Sequence, residues 1–315
     1  MMVPKITNLK DVTMKKYKIL LFVLLIIPAL CFSQKKAKDS IVEKPARPAF
    51  ESATLIDNAS NVLFNKNTLE VMMQHRFGLI EEKNSLAGIY GANSNIRIAL
   101  SYAVLDWVTV GYGITKKNRI SDFSLKVGLL KQTRSGSMPV SISYFGNMAI
   151  DGRSFDTKYP NGDPIPPDAN NGPFLIRQDR YSYFHQLIIA KRFNSNLSLQ
   201  IAPSLSHFNV VNYNDVNSRK ENDRLSIAFG GRYKVSPQTA LICDVSAPIT
   251  KLNDNKYNIT GFSFGAEFST SAHAFQIFIT NFNGILPQYN YMKNTNDFFN
   301  GGALIGFNIT RNYNF

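Results

Sequence analysis

Few residues in the 315-residue chain have the types that acid, base or metal chemistry needs: four His, at positions 75, 185, 207 and 273, and two Cys. The tightest constellation is Ser206, His207 and Asn209, which offers a nucleophile, a base and a group to orient the base. It lies in SLQIAPSLSHFN (198–209), where apolar and polar residues alternate, so neighbouring side chains point to opposite faces of a strand. Ser206 and His207 then stand on opposite sides of the sheet they build, and no proton can pass between them. The same parity puts His75, His185 and His207 on apolar faces and His273 in a turn, which leaves no convergent set of ligands for a metal. If the strands on either side of Asn194–Asn196 pair, His207 comes opposite Tyr183. GxSxG, HExxH, GxxxxGK[ST] and CxxC patterns are missing, and neither a metal nor a cofactor is expected.

A larger charged set falls on the polar parity of the same kind of segment. Glu70, Arg76, Arg97, Asp122, Lys126, Arg192, Arg232, Lys234, Asp244 and Glu267 all take the face opposite the apolar one, six basic and four acidic. Enclosed charges need partners, so one reading is a self-neutralising network that fills a narrow interior. The other is a weakly anion-selective path lined by Arg and Lys.

The elements that must carry these residues are strands. In Leu225–Val235 the odd positions are Leu, Ile, Phe, Gly, Tyr and Val, and the even ones are Ser226, Ala228, Gly230, Arg232 and Lys234. Such runs recur near 68–80, 95–104, 108–117, 121–131, 139–150, 180–193, 197–211, 223–235, 239–249, 257–270, 274–283 and 301–315. Short connections at Leu105–Trp107, Thr133–Met138, Asn194–Asn196, Ser236–Gln238 and Ser271–His273 alternate with long ones at Glu82–Ser94, Asp151–Asp179, Asn212–Asn222, Lys251–Lys256 and Gly284–Asn300. Lys117–Ile120 is short where a long one is due. The pattern predicts an all-β fold: a single antiparallel up-and-down transmembrane β-barrel of about 12 strands, with short turns on the periplasmic side and long loops outside. The proline-rich Asp151–Asp179 loop, by its length, is the best candidate for a lid or an external contact surface.

The closing segment NGGALIGFNITRNYNF (300–315) fits the same architecture. Ile305, Phe307, Ile309, Tyr313 and Phe315 share one parity, broken only by Arg311, against Gly306, Asn308, Thr310, Asn312 and Asn314. Phe307, Ile309, Tyr313 and Phe315 are placed as the insertion signal that a barrel-assembly machinery reads.

Composition bounds the rest. Twenty-three Phe and 14 Tyr against one Trp suit interfacial belts, and beyond residue 33 no stretch approaches the roughly 18 apolar residues of a membrane helix. Lys15, Lys16 and Lys18 precede the apolar run Ile19–Leu30 and then Cys31, Phe32 and Ser33, the order of a cleaved secretory signal. Removing residues 1–33 takes away five Lys and one Asp and leaves +9 of the formal +13. Lys and Arg form no face interleaved with aromatics, so nucleic acid is not an expected partner. Outer-membrane lipid, anionic lipopolysaccharide or a small solute fits the charge better. Cys243 is left without a second Cys. The organisation reads as 1–33 extension and signal peptide, 34–67 periplasmic linker, and 68–315 barrel. Phe50–Asn58 (FESATLIDN) within the linker is either an extra short strand or a plug in the barrel mouth.

ATLIDN (53–58), TLEVMMQHRFG (68–78), NIRIALSYAVLDWVTVGYG (95–113), FGNMAIDGR (145–153), SLQIAPSLSHFN (198–209) and the block from STSAHAFQIFITN to NGGALIGFNITR carry a further resemblance. With them the chain resembles, over nearly all of 50–315, a family of outer-membrane β-barrels of unknown function from the Bacteroides and Flavobacterium lineage. The resemblance implies a barrel and an outer-membrane location but brings no catalytic residue. A porin-like channel for small solutes is therefore the expected function, a closed barrel acting as structural or surface-binding scaffold the alternative. The Ser206, His207 and Asn209 set is also similar to that of an outer-membrane lipase, which parity opposes.

Overall fold

The computed structural model describes residues 43–153, 177–210, 221–270 and 272–315. The signal segment, the linker up to residue 42, most of the 151–179 loop and most of the 212–222 loop lie outside them. Two strands of two residues each come first, β1 (Thr54–Leu55) and β2 (Asn58–Ala59), paired only with each other. The twelve that follow are β3 (Thr68–Leu79), β4 (Asn95–Leu105), β5 (Val108–Thr115), β6 (Ile120–Leu130), β7 (Ser141–Ile150), β8 (Tyr181–Arg192), β9 (Leu197–Phe208), β10 (Asp223–Lys234), β11 (Thr239–Pro248), β12 (Gly261–Ser269), β13 (His273–Thr280) and β14 (Leu304–Asn314). Each pairs antiparallel with its sequence neighbours, and β14 returns to β3, so the sheet closes with no free edge.

Alternation decides which face looks inward. On β4 and β5, Ile98, Leu100, Tyr102, Val110, Tyr112 and Ile114 are exposed, while Ala99, Ala103, Thr109 and Thr115 between them are buried. Leu199, Leu225, Phe229, Leu241, Phe264 and Ile277 continue that exposed apolar surface around the ring. In water such a surface would be costly; in a bilayer it is the matching solvent. Aromatic rings gather on it: His75 lies between Phe77 and Phe307, with ring centroids 4.4 and 5.2 Å away.

Three sequence expectations shift at the element ends. The count of twelve is unaffected, but β12 begins at Gly261, not near 257, because Asn255–Tyr257 forms a single helical turn that the Asp254 side chain caps. His273 is the first residue of β13, opposite Arg311, rather than part of the turn. Phe315 lies just past the end of β14, its N–H donating to Asn67 O at 3.2 Å, and it is 82% exposed. Tyr313 pairs with Leu69 on the outer face, and Arg311, the one charge on that parity, lies 4.8 Å over the Tyr313 ring.

The larger correction concerns the loop Gly284–Asn300, expected outside. It contains α1 (Pro287–Lys293), with Pro at its first turn and every residue from Pro287 to Met292 buried. The helix turns back into the barrel end that bears the long loops and covers Ile120, Phe208 and Leu252 with Leu286, Tyr289 and Met292. From the short-turn end enters the segment upstream of β3. Ala46 N–H donates to Gln132 O at 2.8 Å, Pro45 bridges to Thr133, and Arg192 reaches Pro48 O at 3.2 Å, so from Lys44 onward the chain is attached to the barrel rather than a free linker. The β1–β2 hairpin then sits inside, where Phe50, Leu55, Ile56 and Val62 pack on Ala190, Ile242 and Phe278.

Closure of β14 on β3 generates the first prediction. Deleting Tyr313–Phe315 removes the pairs of Tyr313 with Leu69 and Asn314 with Thr68 at the seam. The truncated protein is expected to lose the heat-modifiable gel shift of a folded barrel, whereas Arg232→Ala, an interior change, keeps it. Normal insertion of the truncation would contradict this role of the seam.

Candidate functional site: a lumen closed from both ends

The hairpin tip is held by two carboxylates. Asp57 Oδ1 accepts from Arg76 Nη2 at 2.9 Å, and its Oδ2 accepts from Ser263 Oγ at 2.6 Å and Thr280 Oγ1 at 3.0 Å. Asp244, on β11, accepts the backbone N–H of Asn58 at 3.0 Å and its side-chain amide at 3.0 Å. The turn between β1 and β2 places Ile56 at φ 53°, where a β-branched residue is an outlier. Its peptide groups are all engaged: the N–H donates to Gln276 Oε1, and the carbonyl accepts from Arg76 and from Asn308. Conformational strain of about 1–3 kcal/mol persists only where surroundings over-determine it. Ile285, in the loop before α1, repeats the anomaly with φ 63°.

The two closing pieces meet at Asn58. Tyr291 Oη, on α1, donates to Asn58 Oδ1 at 2.8 Å and lies 3.1 Å from Ser246 Oγ; Gln186 Nε2 on β8 donates to the same Asn58 oxygen at 3.1 Å. Gln288 Nε2 donates to Asn147 Oδ1 at 2.7 Å, which ties α1 to the wall. At the helix C-terminus Arg224, 1% exposed, donates to the carbonyls of Tyr291 and Tyr257 and to Thr250 O at 3.3 Å, so it clasps the helix and the 250–258 loop together.

The ten charges picked by parity are distributed as follows. Arg97 donates to both oxygens of Asp122 at 2.9 and 2.7 Å, over the backbone of β5 at Gly113, where a Cβ would stand 2.5 Å from Arg97 Nη2; only Gly lets the pair cross. Arg232 Nε donates to Glu267 Oε1 at 2.8 Å. Lys126 Nζ donates to Ala53 O at 2.8 Å and Val62 O at 3.3 Å, both on the hairpin segment, and the Glu70 carboxylate is buried nearby. Arg76 and Asp244 hold the tip, as above. Arg192 donates to Asn194 O, Ser195 O and Pro48 O at the short-turn mouth, and Lys234 is half-buried at that end. Sequence reasoning did not reach Asp57, Asn58, Arg224 and Tyr291. Arg224 has the parity of Ser226 and was readable one residue beyond the run tested; the other three belong to segments without periodicity.

The Ser206 side chain is fully buried, whereas His207 stands on the outer surface opposite Tyr183, its Nδ1 2.8 Å from Asp223 Oδ1 and its Nε2 3.0 Å from Asn209 Oδ1. Nucleophile and base are thus separated by the wall. Among the described residues no cluster of His, Cys, Asp and Glu could hold a metal ion.

Residues 50–313 match the model of the family described as Membrane bound beta barrel domain (DUF5777). The chain belongs to that family. The matched span opens at Phe50, so the hairpin is part of the family's domain together with the twelve strands. No curated protein matches the chain. Among solved structures the chain is similar to the NanC porin, at TM-score 0.46 and 7% identity over 78% of this chain and all (100%) of that one. It is similar also to an outer membrane channel from Pseudomonas putida F1, at TM-score 0.46 and 10% identity over 80% of this chain and 97% of that one. Outer membrane phospholipase A from Escherichia coli is similar at TM-score 0.41 and 12% identity, over 80% and 94%. These describe other barrels, and at such likeness nothing of their activities passes to the family member described here.

Two predictions follow from the geometry. Arg97→Met leaves Asp122 buried with one amide partner, Asn147 Nδ2 at 2.9 Å, and should destabilise the barrel by about 3 kcal/mol. Adding Asp122→Asn should restore most of that, read as the midpoint of heat modifiability; an unchanged midpoint in the single variant would show the pair to be solvated. The second concerns Lys293 on α1. Burial, with Arg153 adding to it and Asp151 opposing it, holds its ammonium down to about 8. A Lys released to solvent titrates near 10.4, as a rough reference, so between these values the released helix binds more protons than the docked one. Docking should therefore strengthen as pH rises from about 8 toward 9.5, the cost being present in full below about 8. Higher still, Tyr289 and Tyr291, whose phenols burial holds above their ordinary range, reverse the trend. A fluorophore on Asn296→Cys in a Cys243→Ser background should report the strengthening, and Lys293→Met should abolish it.

Proposed function

We propose that the protein is a narrow, plug-gated channel for small solutes in the outer membrane of a Gram-negative cell of the Bacteroides and Flavobacterium lineage. In this reading a signal peptide over residues 1–33 is cleaved on export, the short-turn end faces the periplasm, and Phe307, Ile309, Tyr313 and Phe315 are read by the barrel-assembly machinery. The net positive charge suits contact with anionic lipopolysaccharide. One observation carries the channel reading: the lumen is filled by segments that are not strands of its wall, and the wall behind the hairpin tip is polar. Arg76, Asp244, Ser246, Ser263 and Thr280 hold the hairpin by hydrogen bonds that water can replace once the hairpin leaves. A lumen meant to stay filled needs no such lining, since apolar packing there costs less than burying charges. Twelve strands enclose more space than the eight whose interior side chains fill, so displacement of the hairpin leaves an aqueous path.

A second reading, a closed barrel acting as surface scaffold, is favoured by the pairing of the lumenal charges, Arg76 with Asp57, Arg97 with Asp122 and Arg232 with Glu267. Lipid hydrolysis, the third, is opposed by the separation of Ser206 from His207.

Planar-bilayer conductance separates the first two. Full-length protein should show rare, brief openings. Deletion of residues 50–62 should give a large steady conductance, and Tyr291→Phe, which removes the phenol bound to Asn58, should lengthen the openings. A deletion that keeps its heat-modifiable shift yet carries no current would leave the scaffold.

A further inference from the structure

The hairpin does not fill the lumen evenly. Its tip is bound mainly by β11–β14, with Arg76 of β3 and Gln186 of β8, and on the side of β3–β7 a cavity of about 70 Å³ remains, bounded by the hairpin, the wall and the loop before α1. At about 30 Å³ for each water this holds two or three waters or one very small organic molecule.

The register explains the space. Glu70, Ser101, Gly111, Ser124 and Asn147 lie abreast across five successive strands, and the next row carries Met72, Ala99, Gly113 and Asp122. Small residues on neighbouring strands leave the wall thin here. Two residues that line the cavity each carry a buried oxygen with no hydrogen-bond partner among the described residues, Glu70 Oε1 and Thr109 Oγ1. Buried polar atoms are rarely left so unless water or a ligand completes them.

The charges around the cavity select what can do this. Arg97 is neutralised by Asp122 and Asp57 by Arg76, while Glu70 and Lys126, which both line the same space, act on each other electrostatically. An ion entering would lose its hydration and find no uncompensated counter-charge. An uncharged molecule with O–H or N–H groups would donate to Glu70 Oε1, exchange a hydrogen bond with Thr109 and give up no charge solvation.

We infer that this cavity is a subsite for a small uncharged solute bearing hydroxyl or amide groups, of the size of urea or ethylene glycol, and that it sets the selectivity of slow passage beside the seated hairpin, before the hairpin is displaced. The inference rests on the channel reading above. It predicts discrimination by charge, not the anion preference that counting Lys and Arg suggests.

Osmotic swelling of proteoliposomes tests it, with urea, ethylene glycol and sodium chloride as the probes. The full-length protein should admit urea and ethylene glycol about tenfold faster than the salt, the worth of about one hydrogen bond. Ala99→Leu, which projects into the cavity, should slow the two uncharged solutes severalfold. Glu70→Gln, which leaves Lys126 uncompensated, should raise chloride entry and erase the preference. Thr109→Val, nearly isosteric, should slow the uncharged solutes and serves in place of Ala99→Leu should that variant lose its heat-modifiable shift. Variants that swell like the full-length protein while it passes all three probes would overturn the subsite and leave the channel standing. Absence of swelling even after deletion of residues 50–62, in a folded barrel, would overturn the channel and the subsite with it.

Discussion

A ring of twelve antiparallel strands encloses a space that inward-facing side chains alone do not fill, and every other interior feature answers to that geometry. Water, a ligand or more chain must occupy it. Here the occupant is chain from both ends of the barrel: a hairpin that precedes the first barrel strand and a helix from the last long loop. Both bring apolar side chains inward, Phe50, Leu55 and Ile56 in one case and Leu286 and Met292 in the other. Full burial of such groups is worth about 1.5–3 kcal/mol each. Their backbone polar groups must also be satisfied, and the inward rows of Gln, Asn, Ser and Asp do so, as Gln276 and Asn308 do for Ile56.

The sequence was most informative where one period ran long enough. β3 to β14 each carry an apolar and a polar parity over eight residues or more, so strand number, facing and even the pairing of His207 with Tyr183 could be read from it. FESATLIDN is too short to show a period, and most of its partners, Asp244, Ser263, Gln276, Thr280 and Asn308, lie about 190 to 250 positions away. PQYNYMK was read as exposed loop because seven residues in which Gln288, Asn290 and Lys293 are interspersed with Tyr and Met show no helical apolar period; its burial comes from the pocket it enters, not from its own pattern. The inward charges were legible by parity, but their pairing was not. Arg97 reaches Asp122 over an intervening strand only because Gly113 leaves the way open, a relation set by register.

Charge and strain make the filling different in kind from an ordinary core. Arg76, 0% exposed, is held by Asp57, Asn308 and two carbonyls and lies 4.4 Å over the Phe278 ring, so its position depends on the hairpin being present. Ile56 and Ile285, one in each closing segment, both occupy left-handed backbone that β-branched residues avoid. Their neighbours compensate, and both segments are stable only as part of the filled state. Arg224 and Tyr291 join the two, since one anchors the helix end and the other touches Asn58.

The hairpin is attached directly to the start of β3, yet its tip binds mainly β11 to β14, the last strands to be made. β3 and β14 are also the two strands whose union closes the sheet. A growing sheet that already holds the hairpin against its late strands has its two free edges drawn together by the same contacts, which shortens the loop whose entropy opposes their meeting. The filler is thus also a cross-link of the closed ring: Asp57 and Asn58 tie the end of the polypeptide to its beginning, so that holding the contents and closing the cylinder favour one another.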